Sequence, residues 1–204
     1  MAHLTPALLA DIVLLVLCGL LSAAVWSDIR SHRIPNLLVL SGAALGLALN
    51  SVLPEGYGFI SALPGALGFW TALAGIGLSV AILLPLYLLR AMGAGDVKLM
   101  AMVGAFLGPN AMIGAILLTF ILGGVLSLLA ALRYGTLGRM LGNVRTMLTS
   151  SFFKMTFHQM PTLDGVSASA GKLPYGLAIA LGTFAYIALE QAGHMNFLKF
   201  FWPY

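Results

Sequence analysis

The chain is a succession of apolar runs separated by short polar punctuation, and most of the runs are long enough to cross a bilayer. A hydrocarbon core about 30 Å thick is spanned by about 20 helical residues. The first run extends from about Pro6 to Trp26, with Thr5 placed as an N-cap and Pro6 at the first helical position, where a missing N–H costs nothing. "SDIRSHRIPN" (27–36) follows and reads as a loop. Further runs cover Leu37 to Leu53, about Leu63 to Leu89, Asp96 to the Gly108-Pro109 pair, Ala111 to Leu132, and Leu173 to about Leu189. The alternating segments of a membrane barrel are missing, whereas helices satisfy their own backbone in lipid. The expectation is an all-α polytopic membrane protein: one domain, residues 1–204, with six transmembrane helices.

Composition supports a bilayer as the solvent. Only 8% of the residues are charged and 60% are hydrophobic, against about 25% charged in a soluble domain. The net charge of +4 does not point to nucleic acid, because the basic residues sit at the ends of runs and form no patch with interleaved aromatics. Cys18 is the single cysteine, so neither a disulfide framework nor a CxxC zinc pair exists. "MAHLTPALLAD" lacks the basic start of a cleavable signal peptide. With six spans, Arg30, Arg33, Arg90, Lys98, Arg133, Arg139, Arg145, Lys154 and Lys172 share one side, and Lys199 alone is on the other. The positive-inside rule makes the first side cytoplasmic and both termini external.

The acidic residues are few: Asp11, Asp28, Glu55, Asp96, Asp164 and Glu190. Asp28 ends the first run and Asp96 begins the fourth, so the topology puts both at the cytoplasmic end. The fourth run is short, about 21 Å of helix at 1.5 Å per residue, so Asp96 is expected in a protein-lined recess. Two carboxylates brought together cannot both ionise cheaply and share a proton, as aspartyl hydrolysis requires. Gly93 and Gly95, bracketing Asp96 in "GAGD", would supply backbone freedom and close approach for an extended substrate. Structural readings compete: Asp28 as a loop residue paired with Arg30 or Arg33, and Asp96 as a helix cap paired with Lys98. Lys98, two residues on, points away from Asp96 and suits a structural or snorkelling role. Asp11 and Glu55 fall on the outer side, and Asp164 in "PTLDGVS" reads as a turn. The stretch 143–160 reads as an interfacial amphipathic helix, with a lid as the sharper alternative. The Gly42/Gly46 spacing suits close helix packing.

Three segments together resemble the type IV prepilin peptidase family of bacterial membrane aspartyl proteases: "DIRSHRIPN" (28–36), "GAGDVKLMA" (93–101) and "KLPYGLAIALG" (172–182). The resemblance implies Asp28 and Asp96 as the catalytic pair. Gly93, Gly95, Lys98, Pro174, Tyr175 and Gly176 would be the supporting or substrate-binding residues. It also implies a pilin-like precursor as substrate, cleaved at the cytoplasmic face of the bacterial inner membrane in pilus assembly, secretion or DNA uptake. Membrane lipid is the other implied partner, with no nucleic acid, no metal and no cofactor. The long family members carry a CxxC-containing region and N-methylate their product. The brief loop after the first run suggests the short form of Flp/Tad-type systems, without methyltransferase activity. Two readings of another class stay open: a small proton- or cation-coupled transporter using the two aspartates as a relay, and a non-enzymatic assembly scaffold.

Overall fold

The structure, a computed structural model, describes residues 6–56, 58–60, 65–138, 142, 146 and 175–193. Among these the chain forms five helices and no strand: α1 (Pro6–Ser31), α2 (Asn36–Val52), α3 (Phe69–Leu88), α4 (Ala94–Arg133) and α5 (Tyr175–Gln191). Three stretches are long and apolar enough to cross a membrane, Ala7–Ser31, Phe69–Leu88 and Ala94–Arg133, and Asn36–Val52 is a shorter apolar helix. Their outer faces leave Leu15, Leu40 and Trp70 each more than two-thirds exposed, an arrangement suited to lipid contact and not to water.

Helix α4 is the central element. It packs most extensively against α3 and α5, and then against α2. Leu99, Met100, Met102, Val103, Phe106 and Met112 of α4 are fully or almost fully buried, together with Leu17 and Leu21 of α1, Leu83 of α3 and Ile179 of α5. The α3–α4 contact is made backbone to backbone. A Cβ at Gly75 would run into the Gly104 carbonyl oxygen and stand 2.8 Å from the Gly108 Cα. A Cβ at Gly104 would collide with the Gly75 carbonyl in return. On the α2 side, Gly42 makes room for Met102 and Gly46 for the Phe106 ring, as the glycine spacing suggests.

One buried amide ties three elements together. Asn50, fully buried near the end of α2, donates through Nδ2 to the Ala105 carbonyl at 2.8 Å and the Gly46 carbonyl at 3.2 Å. Its Oδ1 accepts from the Leu67 N–H at 2.9 Å. A polar group in a low-dielectric interior is tolerated when it is satisfied in this way.

Two sequence expectations need correction. The stretch 27–36 is not all loop: α1 continues through Asp28 to Ser31 and ends at His32, whose φ of 49° is left-handed. The His32 N–H closes the helix on the Asp28 carbonyl at 2.8 Å. Ser27 and Ser31 both donate to the Arg33 carbonyl, at 2.9 and 3.2 Å, so hydroxyls stabilise the turn that polarity alone had marked as a break. Next, α3 starts at Phe69, not near Leu63. The residues before it are held by a parallel bridge between Glu55 and Ala66. The expected break between the fourth and fifth apolar runs is present: the two helical arms of α4 meet at Gly108, with φ 74° and ψ 177°. That conformation is open essentially to glycine alone, and Pro109 can then begin a new helical arm without an N–H. Thr5, the stretch 143–160, Asp164 and Pro174 lie outside the described residues, apart from Thr146 in the second of these.

The α3–α4 contact yields a pair of variants. Gly75→Val should cost about 2 kcal/mol or more through overpacking. Gly77→Ala, on a face where a Cβ meets nothing within 4 Å, should leave stability unchanged or raise it. Thermal melting in detergent checks both.

Candidate active site

Asp28 lies in the last turn of α1 and is only 7% exposed. Its Oδ2 accepts a 2.8 Å hydrogen bond from the backbone N–H of Gly176, in the first turn of α5. The first N–H groups of a helix have no intrahelical partner, and they carry the positive end of its dipole. A side chain at position 176 would interfere directly, since a Cβ there would stand 2.8 Å from Asp28 Oδ2.

Asp96 occupies the first turn of α4 and is partly buried. Its Oδ2 accepts from the Gly93 N–H at 3.3 Å, folding the carboxylate back over the start of its own helix. The Asp96 carboxylate lies within the electrostatic reach of both Asp28 and the Tyr175 hydroxyl. The Tyr175 ring in turn packs over Gly123, where a Cβ would stand 3.5 Å from its hydroxyl. A straight helix would hold residues 96 and 123 about 40 Å apart at 1.5 Å per residue. Both approach Tyr175, so the two arms of α4 fold back on one another at Gly108. The ends of α1, α4 and α5 thus meet around two carboxylates.

The surroundings sort the other expected residues. Gly93 has an ordinary extended backbone, φ −76° and ψ 150°, and Gly95 lies within α4. Backbone freedom is therefore not what either glycine supplies, contrary to the sequence reading. Gly93 supplies space, because a Cβ there would stand 3.1 Å from Asp96 Oδ2. At Gly95 a Cβ would meet Ile34 at 3.5 Å, an ordinary contact. Lys98 points away from Asp96 and donates to Asn36 Oδ1 at 3.1 Å, tying the start of α4 to the start of α2. An apolar groove of about 200 Å³ runs between α1 and α5, with Trp26 and Ile29 on one wall and Leu177 and Phe184 on the other; Asp28 is not among its lining residues.

Sequence reasoning placed Gly176 at a helix start but did not find its bond to Asp28, a contact between residues far apart in the chain. The roles of Ser27, Ser31 and Asn36 were also missed. Asn50 was legible in principle, as a lone amide inside the apolar run "LGLALNSVL".

The model of the type IV leader peptidase family matches residues 15–128, a stretch containing both Asp28 and Asp96 and more than half the chain. The chain belongs to that family. No curated protein and no solved structure matches it. The family makes this leader peptidase a hydrolase acting on a protein substrate, and its apolar helices make it a membrane protein. The family match ends before α5, the helix whose first turn meets Asp28.

Space around the leader peptidase's two carboxylates predicts a contrast. Gly95→Ala should keep the wild-type thermal midpoint, because its Cβ makes only ordinary contact. Gly176→Ala should lose about 1–3 kcal/mol, because its Cβ presses on a buried carboxylate oxygen. Thermal unfolding of the two variants side by side checks this.

Proposed function

We propose that the chain is an aspartyl endopeptidase that removes the leader from pilin-like precursors, using Asp28 and Asp96 as its dyad. The observation that carries the reading is that these two carboxylates lie within electrostatic reach of one another, each on a helix terminus, in a chain with six acidic residues in all.

The chemistry needs nothing beyond the pair and water. One carboxylate is ionised and the other holds the shared proton. Water attacks the scissile carbonyl carbon while the ionised member takes one of its protons, and the protonated member gives its proton to the carbonyl oxygen. The product is a neutral gem-diol. The first carboxylic acid then protonates the amide nitrogen, the second carboxylate recovers a proton from the gem-diol, and the C–N bond breaks. A new amino terminus and a new carboxylic acid leave, and the dyad returns to its starting protonation.

In this reading the α4 arms, folded back at Gly108, supply two crossings, so that six spans carry the basic residues to one side. That side is the cytoplasmic face of a bacterial inner membrane, with both termini outside. The precursor presents its leader junction there, and the apolar segment that follows the leader lies in the groove between α1 and α5, walled by Trp26, Ile29, Leu177 and Phe184. The turn between α1 and α2 comprises only residues 32–35. Its brevity supports a short peptidase without N-methyltransferase activity.

Precursor cleavage in membranes tests the reading. Asp28→Asn and Asp96→Asn, at matched protein levels, should each lower processing by at least about a hundredfold. An uncoupler should change nothing. Normal processing without either carboxylate would remove the protease assignment, and abolition by the uncoupler would favour an ion-coupled transporter.

A further inference from the structure

We propose that the N-terminus of α5 holds Asp28 as the ionised member of the pair, which makes Asp28 the base that deprotonates water and Asp96 the proton donor to the carbonyl oxygen. Gly176 is then a positioning residue, acting through Asp28. The inference rests on the dyad reading above, which leaves the two roles unassigned.

Three observations bear on the two carboxylates: the first favours an ionised Asp28, and the other two state what the Gly176 bond has to offset. The first is hydrogen-bond length. The Gly176 N–H meets Asp28 at 2.8 Å, within the range of charge-assisted bonds, whereas Gly93 meets Asp96 at 3.3 Å, beyond it. The second is burial. Asp28 is 7% exposed, and an anion so enclosed persists only if protein donors replace water. The third is the setting of each helix end. Asp28 belongs to the carbonyl end of α1, whose dipole by itself repels a negative charge, whereas Asp96 sits at the amino end of α4, whose dipole attracts one. The α5 terminus, aimed at Asp28 Oδ2, offsets the α1 repulsion. Its donor therefore decides where the proton resides. Without it, the buried Asp28 would be the protonated partner.

The absence of a side chain at position 176 is part of the device. A Cβ there would stand 2.8 Å from Oδ2, 3.4 Å from Cγ and 3.3 Å from the Asp28 Cβ. Any other residue would push the carboxylate off the N–H. Tyr175, the residue before, packs over Gly123 and lies within electrostatic reach of Asp96, so one helix start bonds Asp28 and stands near its partner.

The test reads protonation directly. Protein labelled with ¹³C in its aspartate carboxyl groups is reconstituted in lipid nanodiscs near neutral pH, and the labelled carboxylic-acid C=O stretch is followed by infrared difference spectroscopy. Wild type should show an acid band, and Asp96→Asn should lose it. Adding Gly176→Ala to Asp96→Asn should bring an acid band back, because Asp28 deprived of its donor takes up the proton. A band that persists in Asp96→Asn would overturn the assignment by putting the proton on Asp28. A wild type without the band would overturn it as well. A folded double variant without the band would remove the role of Gly176. Removing either carboxylate also removes the repulsion that keeps its neighbour protonated, so Asp28→Asn is the second comparison. An acid band kept in Asp28→Asn places the proton on Asp96, and its loss there overturns the assignment, whether or not the double variant folds. Processing assays stand apart: full activity in Asp28→Asn and Asp96→Asn would sink the protease reading whatever the infrared bands show.

Discussion

The end of the bundle that holds Asp28 and Asp96 depends on α4 turning back on itself at Gly108. With φ 74° and ψ 177° the residue occupies a region that a Cβ would forbid, and Leu67 fills the space where that Cβ would be. Pro109 follows, so the chain interrupts its hydrogen-bond ladder where a donor is already missing. The reversal carries Gly123 back to the level of Asp96. Tyr175 can then lie over Gly123 and begin α5 beside Asp28. A straight α4 would leave the α5 start without a seat and Asp28 without its donor.

Three polar side chains inside the bundle are answered by backbone, whereas the buried Thr119 and Thr183 hydroxyls have no hydrogen-bond partner among the described residues; close backbone approach is bought with glycine. Asn50 bonds two carbonyls and one N–H, Ser79 donates to the Gly75 carbonyl at 2.7 Å, and Asp28 accepts from Gly176. In a low-dielectric surrounding such bonds have no water to compete with, and leaving any of them unmade is costly. Glycine at 75 and 104 lets α3 and α4 touch at the main chain, and the central helix is thereby fixed against its neighbour. The site inherits this rigidity, since Asp96 begins the same helix.

Much of this was legible from residue order. Hydropathy located the apolar elements, and the Gly108-Pro109 pair marked the break. The scarcity of acidic residues singled out Asp28 and Asp96. Boundaries were harder to read. Ser27, Asp28, Arg30 and Ser31 read as loop because polarity usually ends a span, yet they form the last turn of α1, where hydroxyl-to-carbonyl bonds stabilise the following turn. The glycines of "GAGD" were read as conformational. The backbone at Gly93 is ordinary, and its role is to leave room for a carboxylate oxygen.

By itself the sequence determined an all-helical membrane chain of the type IV leader peptidase family, because hydropathy, glycine and proline placement and local motifs act over a few residues at a time. Only the tertiary structure decided what surrounds each carboxylate. The Gly176 N–H reaches Asp28 across most of the chain's length, and Lys98 turns to Asn36 instead of Asp96. Such contacts depend on which helix ends the packing brings to one place, and no local pattern carries that information.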